Sequence, residues 1–226
     1  VLNFKRNIVE TSDGSKTIEL QGMNEHYHSV HGALQESLHV FIKNGLQFQL
    51  DRGFRSLNVL EIGFGTGLNF LTTLKHVMHQ QVSIDYVGLE AFPLPPDMLN
   101  DLGYNQHFGD ECISFCKRLM SNPNEVQMAS ELHTKAKQII ESLDRVKLPN
   151  EYFDLIYFDA FGPRVQPEMW TLEVFLKMVE TLSNGGCLVT YCAKGEVKRS
   201  LKAAGFIVES LPGPPGKREM TRALKQ

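Results

Sequence analysis

The chain has 226 residues, 42% hydrophobic and 22% charged, with a formal net charge of −3, which fits one large globular domain or a domain with an appendage. No apolar run approaches the ~18 residues that a bilayer span needs, and Val1 to Arg6 lacks the apolar core of a signal peptide, so a cytoplasmic protein with no membrane partner is the default expectation. Cys112, Cys116, Cys187 and Cys192 form no C-x-x-C pair, and His26, His28, His31 and His39 lack metal-ligand spacing, which argues against a disulfide frame, a zinc site or any other metal.

Residues 7–20 alternate around Asp13-Gly14 as a hairpin, with Ile8, Val9, Ile18 and Leu20 as its apolar members. Ala33, Leu34, Leu38, Phe41 and Ile42 then fall at helical spacing, and the helix is expected to end near Gly45. We read 1–50 as an appendage able to cover a cofactor mouth and 51–226 as the main domain. From residue 57 strands and helices alternate, which predicts a parallel sheet with helices on both faces. Strands are expected at 57–62, 82–89, 153–158, 186–192 and 206–210, with a weaker one near 131–138 and a returning edge within 216–224. Helices are expected near 67–79, 105–120, 170–182 and 194–204. The stretch 121–150 gives no readable boundary.

The most informative segment runs from Asn58 to Leu71. Val59, Leu60 and Ile62 form an apolar strand, Leu68 to Val77 has helical spacing, and Gly63, Gly65 and Gly67 lie between. A strand, a glycine turn and a helix start permit close backbone approach to a cofactor. Dinucleotide sites favour G-x-G-x-x-G over a pyrophosphate, whereas this loop reads acidic-x-G-x-G-x-G with Glu61 ahead of the first glycine. A carboxylate suits a ligand with an ammonium group, and S-adenosyl-L-methionine is such a ligand. Phe64, Thr66 and Asn69 complete the candidate cofactor set in this loop.

The second strand ends in Glu90, roughly the twenty-odd residues beyond the glycine loop expected for an acid that bonds a ribose diol. The third feature, Tyr152 to Pro163, is an apolar strand that delivers Asp159 to its C-terminal end beside the expected crevice. Asp159 there could orient an amine toward an electrophilic methyl, remove its proton, or accept from the cofactor ammonium. Capping of the downstream loop is the structural alternative. Residues 194–226 carry a net +5 against −8 for the rest; this fits a phosphate-binding face or a solvated helix and tail equally.

Taken together, the loop 63–70, the segment Asp159 to Trp170, the tail Gly216 to Met220, and the residues Glu25 to Ser29 with Gly32 and Ala33 resemble the MnmC-type methyltransferase domain. The resemblance implies a Rossmann-like class I methyltransferase fold, a mostly parallel seven-stranded sheet with helices on both faces. It implies S-adenosylmethionine-dependent N-methylation of 5-aminomethyl-2-thiouridine in tRNA to 5-methylaminomethyl-2-thiouridine. It further implies that Gly63, Gly65, Gly67 and Glu90 hold the cofactor and that Asp159 sits at the methyl-transfer centre. Tyr27, His28, Phe161, Arg164, Trp170, Lys217 and Arg218 are then expected near the tRNA, although a lone Trp is as often a core anchor.

Family members often carry a fused flavin-dependent oxidase, and this chain is expected to resemble the stand-alone form, with a separate oxidase or wobble-uridine modification enzyme as partner. The residue that reads the adenine is unassigned, because Asp110 lies too early and only Gln138 or Glu141 is on offer. Rival readings are an aminopropyltransferase-like enzyme on the same fold and a non-catalytic RNA-binding module.

Overall fold

The computed structural model describes residues 5–22 and 25–226. A small antiparallel sheet opens the chain, with β1 (Arg6–Glu10), β2 (Lys16–Leu20) and the short β3 (Glu25–His26). A continuous helical rod follows as α1 (Ala33–Ser37), a π-wound stretch (Leu38–Gln47) and α2 (Phe48–Asp51). The main body then runs β4 (Ser56–Ile62), α3 (Leu68–Val77), β5 (Ser83–Glu90), α4 (Met98–Asp101), α5 (Asp110–Ser121), β6 (Val126–Ala129), β7 (Thr134–Ile140), β8 (Phe153–Phe158), α6 (Leu172–Thr181), β9 (Leu182–Thr190), α7 (Gly195–Ala203), β10 (Ile207–Pro212) and β11 (Glu219–Leu224).

The large sheet has the order β10-β11-β9-β8-β4-β5-β7-β6. Its five central strands, β9 to β7, are parallel, while β10, β11 and β6 pair antiparallel at the edges. Strand β8 reads FDLIYF and is buried at five of six positions, as a parallel strand covered on both faces should be. The sheet thus has eight strands where seven were expected. The extra one is β6, a four-residue edge strand whose Val126 and Met128 are 56% and 65% exposed, so it lacks the apolar signal of its neighbours.

Two apolar layers flank the sheet. One packs α3, α5 and the helical rod, through Phe41, Leu46, Phe70, Leu74 and Phe115; the other packs α6 and α7, through Phe175, Met178, Val197 and Leu201. Each fully buried side chain of this size contributes about 1.5–3 kcal/mol. The rod does not stop at Gly45. It continues to Asp51 because Gly45 lies against the sheet, where a Cβ would stand 2.9 Å from Val189 and 3.3 Å from Leu155. Glycine here serves close packing and not helix termination.

Two other boundaries moved. The weak strand near 131–138 forms as Thr134–Ile140, after a tight turn at Ser130–Leu132. The helix expected from 105 begins at Asp110, where Asp110 and Glu111 face the helix N-terminus. Among the described residues no helix is long and apolar enough to cross a membrane, and no cluster of His, Cys, Asp and Glu is arranged to hold a metal ion.

Candidate active site

Strand β4 lies between β5 and β8. The chain therefore leaves it in one direction and later returns on the other side, and ligands of open α/β sheets bind at the C-terminal ends beside such a switch. Gly63 N and Phe64 N both donate to Leu89 O at 3.0 Å, and Asp159 N donates to Ile62 O at 2.9 Å. The three strand ends are thereby bound together before the loops diverge. At Gly63, with φ +88°, a Cβ would stand 2.7 Å from the Asp159 carbonyl oxygen, so only glycine lets the β8 loop pass this close.

A cavity of about 560 Å³ opens over these ends, lined by Tyr27, His28, Gly63, Gly65, Glu90 and Asp159 among others. Gly65 N donates to Glu90 Oε2, and Phe92 N to Oε1, both at 2.8 Å. Each carboxylate oxygen keeps a further acceptor site for a ligand hydroxyl. Burial raises the Glu90 carboxyl above its ordinary range, and the backbone N–H groups partly offset that. Tyr27 and Phe161 meet edge to face at 5.2 Å on the cavity wall.

Asp159 sits partly buried on the floor, with Oδ2 accepting from Asn69 Nδ2 at 2.7 Å. Burial and the Glu36 carboxylate push its carboxyl up to about 7, against the opposing pull of Asn69 and Lys217. His28 goes the other way, down to about 4, through burial and Lys217. It is therefore neutral near pH 7, with Nε2 2.8 Å from the Thr66 hydroxyl, which in turn lies 2.8 Å from Tyr104 OH.

Several expected ligand residues stand behind the cavity and do not line it. Glu61 is fully buried, with one oxygen accepting from Asn69 Nδ2 at 2.9 Å and the other from Tyr86 OH at 2.8 Å. A ligand ammonium has no access to it. Phe64 is buried against Phe70 and Gly88, Thr66 serves His28, Gly67 starts α3, and Asn69 bridges Glu61 and Asp159. Trp170, 5% exposed, packs against Phe158 and Phe175 and donates Nε1–H to Phe161 O at 2.8 Å. It is a core anchor that fixes the Phe161 loop.

Beside the cavity lies a more open recess of about 700 Å³ lined by the cations Arg164, Lys194, Lys217 and Arg218, by the carboxylates Glu25 and Glu219, and by Tyr191 and Cys192. Arg218 is exposed, and Arg164 pairs with Glu25 at 3.2 Å. Lys217 turns inward. Its ammonium pairs with Glu36 and lies 3.9 Å from the Tyr191 ring centre. Tyr191 OH in turn donates to Ala160 O at 2.8 Å.

The sequence reading missed Glu36, Tyr191 and Ser142 to Asp144. With Glu141, these last three follow β7 directly and line the same cavity as Asp159, where an adenine contact was expected. Of the two residues on offer, Glu141 lines the cavity, whereas Gln138 is buried within β7 at 1% exposure. The one available signal was position, since these residues follow the third parallel strand.

Residues 108–226 match the family described as S-adenosyl-L-methionine-dependent methyltransferase. The chain is also similar to proteins named tRNA 5-methylaminomethyl-2-thiouridine biosynthesis bifunctional protein MnmC. The one from Pseudoalteromonas atlantica is 31% identical over 88% of this chain and 30% of its own length; the one from Leptospira interrogans is 29% identical over 97% and 34%. The chain thus spans about a third of the length of these curated relatives. Among solved structures, MnmC2 from Aquifex aeolicus superposes with a TM-score of 0.77 at 24% identity, over 98% of this chain and 71% of that one.

Proposed function

Because the chain belongs to the S-adenosyl-L-methionine-dependent methyltransferase family, we propose that it methylates the aminomethyl nitrogen of 5-aminomethyl-2-thiouridine at the wobble position of tRNA. The observation that carries this reading is the course of residues 159–164. Asp159 and Phe161 border the enclosed cavity, while Gly162 to Arg164 border the cation-rimmed recess. One short loop therefore adjoins a pocket of cofactor size and a face suited to a phosphate backbone. The names of the curated relatives point to the same nucleoside.

The cavity fits the cofactor in three respects. Gly65 leaves its floor free of a Cβ, Glu90 presents two acceptor oxygens, and the apolar wall of Leu89, Leu143 and Met169 suits a purine. Bound there, S-adenosylmethionine supplies a methyl group activated on a sulfonium. The chain's own part is to present the amine as a free base, align its lone pair and receive one proton. Asp159 aligns the N–H, and Lys217, held inward by Glu36 and Tyr191, disfavours an ammonium at the same place. Tyr27 and Phe161 offer aromatic edges to an extruded base. We further propose that the amine-bearing tRNA comes from a separate oxidase or another wobble-uridine modification enzyme and that both act in the cytoplasm.

Nucleoside mass spectrometry tests this directly, with unmethylated tRNA, the protein and isotope-labelled cofactor. Label is expected in 5-methylaminomethyl-2-thiouridine. Label elsewhere, or the larger mass of an aminopropyl group, rejects the reading.

The recess yields a separate prediction. Arg218→Ala is expected to weaken tRNA binding and to flatten its salt dependence, since each lost phosphate contact removes roughly 0.7–0.9 from the log–log slope. Lys217→Ala should leave that slope unchanged and lower the methylation rate, because its ammonium is already paired inside. Equal slopes for Arg218→Ala and parent in a filter-binding titration would remove Arg218 from the interface.

A further inference from the structure

Asn69 lies at the second position of α3 and is 1% exposed. Its two amide hydrogens are both committed, one to Glu61 Oε1 at 2.9 Å and one to Asp159 Oδ2 at 2.7 Å. Its carbonyl oxygen accepts from the Ser37 hydroxyl at 2.7 Å. The amide cannot be turned over, because its oxygen would then face two carboxylates. Glu61 is itself fixed by Tyr86 OH. A chain of contacts therefore runs from β5 through β4 and α3 to the loop after β8, with α1 joined at Ser37. Among the described residues no donor is bonded to Asp159 Oδ1.

We propose that Asn69 is a positioning residue for Asp159: it clamps Oδ2 and leaves Oδ1 as the oxygen presented to the substrate amine. The inference rests on the methyl-transfer reading for its effect on rate, and on the geometry alone for its effect on Asp159. The charged and titratable groups around this carboxylate are Glu61 from β4, Glu90 from β5, Glu36 from α1 and Lys217 from the loop before β11. Tyr27, His28, Tyr86 and Tyr191 also face it. Asn69→Ala keeps all of these groups and deletes the donor to Asp159 Oδ2, together with the donor to Glu61 and the acceptor for Ser37, so Ser37→Ala, which leaves both donors in place, is its companion. Loss of a donor to the charged form favours the protonated form.

The test is a titration of the aspartate carboxyl carbons by 13C NMR, with the Asp159 signal assigned by its absence in Asp159→Asn. Cofactor affinity and the pH–rate profile are measured alongside. In Asn69→Ala the Asp159 midpoint is expected to move to higher pH. Turnover should fall by about tenfold near pH 7 and recover in part above pH 8, with cofactor affinity unchanged. Ser37→Ala leaves Asn69 in place but loosens it; a smaller shift of the same sign is expected, and this variant carries the test if Asn69→Ala does not fold. An unmoved midpoint in the folded variants overturns the proposal. Loss of cofactor affinity with an unmoved midpoint would make Asn69 a cofactor ligand instead. The NMR titration needs no tRNA, so a parent protein that fails to methylate tRNA rejects the functional reading without deciding this one.

Discussion

Asp159→Asn should lower the single-turnover methylation rate by about 10²-fold or more, the scale of a lost orienting or acid–base group. The substitution is nearly isosteric, and its side-chain oxygen can still accept from Asn69, so the β8 loop should hold its path. What disappears is the charge and one strong acceptor for the amine N–H. Cofactor affinity separates the two roles left open for this residue. Retained affinity with slow turnover places Asp159 at the amine; lost affinity places it on the cofactor ammonium. Methylation at the parental rate would remove it from the mechanism.

The pH dependence gives the same residue a second test. Burial and Glu36 raise the carboxyl from 3.8 to about 7, and the working form is the anion. The parental rate should therefore rise with pH, by about tenfold per unit on the acid side, and level off above about 7. In Asp159→Asn that limb should vanish. The stability sign is opposite. Between 3.8 and about 7 the folded state holds this proton more tightly than the unfolded chain, so the contribution is full below that window and lost as pH rises through it. Asp159→Asn should then be at least as stable as the parent at pH 8 by thermal melt, which separates damaged chemistry from a damaged fold.

Asp159, Glu90 and the glycine loop were legible because each terminates a run of apolar residues. Buried parallel strands announce themselves by such runs, and their C-terminal ends are where a site forms. Strand β6 could not be read because an exposed edge carries no burial pattern. The rod past Gly45 failed for a different reason: glycine signals a stop locally, and only contact with Val189 and Leu155 shows that it marks close packing. Lys217 was expected near the tRNA from the resemblance and from the basic tail it belongs to. Its partner Glu36 lies 181 positions away in sequence, and no local pattern links the two. Glu61 illustrates the same limit, since its position before the glycines was evident but its enclosure by Tyr86 and Asn69 was not.

Gly65→Val should abolish measurable cofactor binding while the protein remains folded. Two effects act together. Gly65 has φ +52°, in the left-handed region that a β-branched residue strongly disfavours, and its Cβ would stand 3.2 Å from the Tyr27 ring on the cavity wall. Relief of either strain moves the loop, and with it the Gly65 N–H that holds Glu90 Oε2. The valine thus narrows the cavity and disorganises the acid expected to take the ribose hydroxyls. Phe64 of this loop joins one apolar layer, but most of both layers lies on the faces of the sheet, so circular dichroism and cooperative unfolding should survive. Glu90→Ala probes the second effect alone, and its affinity loss should be about 1.5–3 kcal/mol, the scale of hydrogen bonds to a charged group. Calorimetry with S-adenosylmethionine decides both. An unchanged dissociation constant for Gly65→Val would place the cofactor elsewhere, and a loss below about threefold for Glu90→Ala, far short of that range, would take the ribose away from Glu90.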